Sequence, residues 1–350
     1  QNMKQKDIEG LVRPNIRRLC PYSTARDELQ GTPEVFLDAN ESPYPGKWNR
    51  YPDPRQKVLK SVIADIKGVR DSQIFLGNGS DEAIDLLFRT FCVPSQDNIV
   101  AISPSYGMYE VSAYTNDVEV RKVQLKEDFS LPAEELLSEC DSHTKLLFLC
   151  SPNNPSGNAF RNEEIFGILD KFKGIVVVDE AYIDFCREPS LLGQIDRYCN
   201  LVVLQTCSKA RGLAALRLGM AFSNEYIIKL MSMVKYPYNI NHLTQQAALE
   251  QLGQSERIAG WVREIIAERG IMAEKLCRLP VCLHIYPSDA NFILVRVTDA
   301  EDIYNYLTDK GIIVRNRSRI ALCGNSLRIT IGTPEENRTL MTALEDYCRK

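Results

Sequence analysis

The sequence predicts an α/β protein in two parts: a large domain with a mostly parallel central sheet covered by helices on both faces, and a smaller α/β domain. Three observations carry this expectation. The runs 99–102 (IVAI), 146–149 (LLFL), 175–178 (IVVV), 201–204 (LVVL) and 218–222 (LGMAF) are apolar without alternation, as strands covered on both sides are. Helical patterns separate most of them, the arrangement expected of parallel strands joined by crossover helices. Four of the runs end in polar or aromatic groups: Ser103, Ser105 and Tyr106; Ser151, Asn153 and Asn154; Asp179 and Tyr182; Ser208 and Lys209. Open sheets of this type bind ligands beyond the carboxyl ends of their strands.

Bulk properties set the outer limits. A chain of 350 residues suits one large domain plus a smaller one. Its 42 basic against 46 acidic residues give a formal charge of -4, which leaves no broad basic field for nucleic acid or an anionic membrane. No apolar run approaches the roughly 18–20 residues needed to span a bilayer, and residues 1–7 (QNMKQKD) lack the apolar segment of a signal peptide. A cytoplasmic location is the resulting expectation. The 11 cysteines are scattered and odd in number, with no C-x-x-C, and only three histidines are present. Reduced thiols are therefore expected, and a zinc site is not.

Taken in order, residues 1–38 show little periodicity and are expected to pack as an arm through Leu11, Val12 and Ile16. Residues 35–40 (VFLDAN) predict a short strand leading into a proline-punctuated turn at 41–46. Residues 51–54 (YPDP) are extended, because the residue before a proline is pushed out of the helical region. A helix follows over 57–67. Then 74–82 (IFLGNGSDE) reads as strand, glycine turn and helix start, with Ile84, Leu87, Phe88 and Phe91 at helical spacing and Ser80 as the N-cap. The amides of such a terminus form an anion site. There is no third glycine for a dinucleotide fingerprint and no Walker lysine.

Residues 241–279 are long-helical, interrupted near Gly253. Beyond them come a strand at 292–295, a helix at 299–310 stopped by Gly311, strands at 312–315 and 327–331, and a last helix. That helix has Thr333 as N-cap, Pro334 at its first position and Glu336 to complete a capping box. The expected division is a large domain over 39–243, with the arm 1–38 and a small domain over 244–350.

The stretch 206–219 (TCSKARGLAALRLG) directs attention to Lys209, which stands past the end of an apolar run with hydroxyls before it and an arginine after it. A lysine so placed can bond to an aldehyde as a Schiff base. Pyridoxal phosphate needs such an amine, a carboxylate for its ring nitrogen, donors to its phenolic oxygen and a site for a dianionic phosphate. Lys209, Asp179, Asn154 with Tyr182, and the turn Gly79, Ser80, Asp81 with Arg217 can fill those needs. Read singly, Asp179 is equally an N-cap, Tyr182 and Tyr106 core aromatics, and Arg217 the partner of a surface acid.

The motifs at 37–44 (LDANESPY), 151–157 (SPNNPSG), 178–182 (VDEAY), 208–210 (SKA), 212–214 (GLA), 216–217 (LR) and 327–333 (LRITIGT) together resemble the fold-type-I aminotransferases. The resemblance is to the histidinol-phosphate aminotransferase family in particular, and it runs from residue 11 to about 347. It implies a homodimer with shared sites and pyridoxal phosphate as cofactor. Its substrates would be a phosphorylated amino alcohol and glutamate or 2-oxoglutarate.

By the same resemblance Lys209 carries the cofactor and moves the proton, and Asp179 pairs with the ring nitrogen. Asn154 and Tyr182 donate to the phenolic oxygen, and Tyr106 stacks on the ring. The amides of Ser80 and Asp81, the hydroxyls of Thr206 and Ser208 and the side chain of Arg217 hold the phosphate, joined by Tyr51 from the neighbouring subunit. Arg328 and Arg315 grip the substrate's anionic group, with Tyr22 and Asn40 lining the same pocket. Arg211 departs from the family pattern, which has an aromatic or small apolar residue there. Because Arg315, Arg317 and Arg319 alternate, one face of that segment can also be read as solvated charge.

Overall fold

The apolar runs become strands because each can bury both of its faces, and the computed structural model shows them stacked in one sheet. It describes residues 3–22, 26 and 34–349; residues 1–2, 23–25 and 27–33 of the expected arm and the terminal Lys350 lie outside them. The strands are β1 (Ile74–Asn78), β2 (Asn98–Ser103), β3 (Glu119–Gln124), β4 (Thr144–Cys150), β5 (Ile175–Asp179), β6 (Leu201–Thr206) and β7 (Leu218–Phe222). Their order is β1-β7-β6-β5-β4-β2-β3. The run from β6 to β3 is parallel, while β7 is antiparallel to both β6 and β1. The connection 207–217 explains the reversal, being shorter than the dozen or more residues a parallel crossover requires.

Alternate residues of the central strands point to opposite faces. Leu147, Leu149, Val176, Val178, Leu201 and Val203 join one core. Leu146, Phe148, Ile175, Val177, Val202 and Leu204 join the other. Each is fully buried or nearly so, a gain of about 1.5–3 kcal/mol per side chain. The helices Gln5–Leu11 and Pro14–Arg17 add Ile8 and Ile16 to the second core, with Val12 between them, so the N-terminal arm packs on the large sheet.

Three expectations need correction. Residues 35–40 form no strand: Val35 and Leu37 are exposed, and the segment is held by ionic contacts instead, with Arg26 on Asp38 at 3.0 Å and over Phe36 at 4.9 Å. The helix after β1 starts at Gly79, so Asn78 takes the N-cap position and Ser80 falls in the first turn. The run 312–315 contributes only its end, β10 (Arg315–Asn316). The edge strand β3 escaped the sequence reading because its EVRKVQ alternates with charge and buries little.

The second sheet comprises β8 (Cys282–Ile285), β9 (Phe292–Val297), β10 and β11 (Ser326–Thr330) in the order β10-β11-β9-β8, antiparallel throughout. β8 was not predicted. The helix Ala300–Asp309 is capped by Asp299, and Pro334–Cys348 begins with the expected capping box at Thr333 and Glu336. The helix Ser255–Cys277 buries Met272 and Leu276 against this sheet. It also sends Arg269 between the two parts, donating to Ala290 O at 2.6 Å and Phe185 O at 3.3 Å. Tyr182, Phe185, Ala210, Ala290 and Phe292 form a small core at that junction.

Candidate active site

The carboxyl ends of β4, β5 and β6 and the turn after β1 border an open cavity of about 120 Å³. Its lining brings together Ser80, Asp81, Tyr106, Asn154, Asp179, Tyr182, Thr206, Ser208, Lys209 and Arg217. These residues span 138 positions of sequence, and it is the strand order that makes them neighbours.

One end of the cavity is built for an anion. Gly79 has φ +70 and donates its N–H to Arg217 O at 2.6 Å, a conformation that glycine adopts without strain. Gly219, opposite Gly77 on β1 and Thr206 on β6, lies under the same turn, and a Cβ there would collide with Gly79 C and Ser80 N. Two glycines thus let the helix N-terminus approach the β7 backbone, and its first-turn amides have no partner inside the helix. Arg217 reaches the same place, with Nη1 3.5 Å from Ser208 Oγ and Nη2 3.9 Å from Asp81 Oδ2. Thr206 Oγ1 and Ser208 Oγ stand 3.0 Å apart beside it. Asp81 is drawn aside by Tyr106, whose hydroxyl donates to Oδ1 at 3.0 Å.

The other end holds Asp179, 2% exposed. Its hydrogen bonds come from neutral donors, Tyr109 Oη to Oδ2 at 2.8 Å and Ala181 N to Oδ1 at 3.1 Å. Burial pushes its carboxyl up to about 6, against the opposing pull of those two bonds. A buried carboxylate with only neutral donors calls for a cation, and the protonated ring nitrogen of pyridoxal phosphate is one. With an anion site, a buried carboxylate and an amine lining one cavity, the residues present fit that cofactor.

Lys209 supplies the amine, its Nζ 5.6 Å from the Tyr182 ring centroid. Burial lowers its pKa and the charge of Arg328 lowers it further. Burial raises the Tyr182 phenol, so at neutral pH Tyr182 keeps a proton to donate. Asn154 is buried and accepts at Oδ1 from Arg328 Nη1, which reaches across from β11 and also lies 5.3 Å over the Phe292 ring. Arg315 sits directly opposite Arg328 in the β10–β11 ladder and is exposed.

Some residues of the expected site lie elsewhere in the chain. Tyr22 is exposed and lines a separate basic depression with Arg55, Lys60 and Lys235. Asn40 and Tyr51 line another with Trp48 and His242, and Tyr51 stacks on Tyr238 at 4.4 Å. Glu41 holds this rim in place through Arg26, Arg50 and the Tyr51 amide. None of the three lines the cavity containing Lys209. Arg211 is buried outside the lining of this cavity, and its charge acts on Lys67 and Cys207. Sequence reasoning missed Tyr109, which fixes Asp179 and stacks on Phe148 at 4.8 Å. The only local signal was a second tyrosine three residues after Tyr106.

Comparison with known proteins places this geometry in context. The family model for aminotransferase class I and II matches residues 20–344. A histidinol-phosphate aminotransferase of Bacteroides fragilis (strain YCH46) is 56% identical over 343 residues, covering 98% of this chain and 99% of that protein. Among solved structures, the histidinol-phosphate aminotransferase from Clostridium acetobutylicum superposes with a TM-score of 0.79 at 26% identity, covering 86% of this chain and 91% of that one. The L-threonine-O-3-phosphate decarboxylase from Porphyromonas gingivalis superposes at 0.72 with 25% identity and the same coverage.

Proposed function

The chain belongs to the aminotransferase class I and II family, and from that premise we propose that it transfers an amino group between L-histidinol phosphate and 2-oxoglutarate, giving imidazole acetol phosphate and L-glutamate. It is a pyridoxal-phosphate-dependent transaminase. When bound, the cofactor supplies the aldehyde that takes up the amino group and a ring that draws electrons from the reacting carbon. The chain does the rest. Asp179 would keep the ring nitrogen protonated, Asn154 and Tyr182 would offer donors to the phenolic oxygen, and Tyr106 would cover the ring face. The amides of Ser80 and Asp81, the hydroxyls of Thr206 and Ser208 and the side chain of Arg217 would hold the phosphate. Lys209 Nζ, whose pKa is lowered by burial and by Arg328, moves the proton.

The observation that carries the substrate reading is the pair Arg315 and Arg328, two guanidinium groups side by side on adjacent strands, one of them reaching the cavity through Asn154. Two such forks suit a dianionic phosphate. Arg328 alone can hold a carboxylate of glutamate in the return half-reaction. The 56% identity to a histidinol-phosphate aminotransferase supports the same choice. Adding histidinol phosphate to the cofactor-loaded enzyme should abolish the visible band of the aldehyde form, and phenylalanine should leave it in place. Release of carbon dioxide from phosphothreonine instead would replace this reading with a decarboxylase on the same scaffold.

We also propose a cytoplasmic homodimer with shared sites. The rim that carries Asn40 and Tyr51 exposes Leu37, Tyr44, Trp48 and Leu243, an apolar edge that a second copy would cover, and Tyr22 and Tyr236 are exposed as well. In a dimer Tyr51 would reach the partner's cofactor phosphate. Sedimentation should give twice the 39.7 kDa chain mass, and mixing Tyr51→Ala with Lys209→Ala chains should restore activity through hybrid dimers. A monomeric mass with full activity would refute this.

A further inference from the structure

We propose that Arg317 is a third guanidinium ligand for the anionic end of the amine-bearing substrate, and the one that favours a phosphate dianion over a carboxylate; the inference rests on the phosphorylated-substrate reading above. Its position follows from the β10–β11 ladder. Arg315 faces Arg328 and Asn316 faces Leu327 across the strands, and the Arg317 N–H continues the ladder by donating to Ser326 O at 2.8 Å. Side chains alternate along such a backbone, so Arg317 projects on the side of Arg315. Asn316 projects to the other and bonds Glu301 Oε2 at 2.8 Å.

The three alternating arginines then part ways. Arg315 and Arg319 are exposed, whereas Arg317 is half-buried, and its Nε is shut off from solvent without a hydrogen-bond partner. A buried donor left unmade is costly, and a ligand that brings acceptors relieves the cost. The groups whose charges act on Arg317 are Arg315 from its own strand, Cys323 from the following loop and Tyr182 from the large domain. Its charge also acts on Arg328, as does that of Arg315. Tyr182 lines the cavity beside Lys209. No carboxylate is among these neighbours. Arg315, Arg317 and Arg328 therefore act on one another, and Tyr182 connects Arg317 and Arg328 to the cavity. Three guanidinium groups carry more positive charge than one carboxylate needs, and they match a dianion with three acceptor oxygens.

The test uses the cofactor-loaded full chain carrying Arg317→Gln, with Arg317→Lys beside it. The two half-reactions are measured separately by single turnover. With histidinol phosphate, apparent affinity should fall about 10- to 100-fold in Arg317→Gln, the loss expected for charge-assisted hydrogen bonds. Arg317→Lys should recover part of it, while glutamate changes by less than about threefold. Inorganic phosphate, tested as a competitive inhibitor of the glutamate half-reaction, should weaken in parallel. Equal losses in both half-reactions would assign Arg317 a merely structural role and overturn the proposal, as would unchanged inhibition by inorganic phosphate. A wild type inert toward histidinol phosphate would sink the substrate assignment alone, since the inorganic phosphate arm still decides whether Arg317 binds the anion.

Discussion

Lys209→Ala should lower the rate of amino-group transfer by about 10⁴-fold or more, because it removes both the covalent attachment point and the base. Among the described residues no other amine lines the cavity to replace it. The nearby cations Arg217 and Arg328 are guanidinium groups, which stay protonated and cannot accept the proton. Lys209 owes its reactivity to position. It stands three residues past the end of β6, beside the Tyr182 ring, and desolvation together with the charge of Arg328 shifts it toward the neutral amine that a base must be. The variant should still take up the cofactor, since Asp179 and the cradle around Gly79 and Arg217 are untouched. Stopped-flow absorbance with histidinol phosphate checks the rate. Borohydride treatment, which should fix cofactor to the wild-type chain and not to the variant, checks the attachment. A Lys209→Ala enzyme with wild-type turnover would sink the mechanism.

Much of this site could be read before the fold was known, and the reason is topological. In a doubly covered sheet the strands read as uninterrupted apolar runs, and the groups following β2, β4, β5 and β6 must then lie along one crevice. Tyr106, Asn154, Asp179 and Lys209 each follow such a run, so finding the runs located the residues. What stayed hidden depended on contacts distant in sequence. Tyr109 bonds Asp179 across 70 positions, and nothing in its own helix marks it. Residues 35–40 have the apolar content of a strand, yet they pair with no strand, and contacts with Arg26 and Arg50 fix their path instead. Arg315, Arg317 and Arg319 are chemically equivalent in the sequence. Only their registry against β11 and the depth of the cleft distinguish them. The places of Tyr22, Asn40 and Tyr51 involve a second chain in the dimer proposed here, which no pattern within one chain encodes.

Asp179→Asn should divide function from stability. Transfer should slow by about 10²- to 10⁴-fold, since a neutral amide no longer holds the ring nitrogen in its protonated form. The cofactor-free protein should behave in the opposite way. In an unfolded chain an aspartate titrates near 3.9, whereas burial raises Asp179 to about 6 in the fold. Between those values the folded state keeps a proton that the unfolded state has released, so stability falls as pH rises through the window from about 4 to 6. By pH 7 the difference of roughly two units amounts to about 3 kcal/mol against the cofactor-free fold. Asparagine carries no charge, so cofactor-free Asp179→Asn should exceed cofactor-free wild type by up to about that amount at pH 7.5 and match it near pH 4. Urea unfolding at the two pH values measures the difference. A gap independent of pH would show that the carboxyl charge is not its source. Loading the cofactor should reverse the order at neutral pH, because the ring cation then compensates Asp179 in the wild type and has no such partner in the variant. On this reading the burial that costs the empty enzyme stability is what gives Asp179 its hold on the cofactor: the same low-dielectric surroundings that oppose a lone carboxylate strengthen its pairing with a cation.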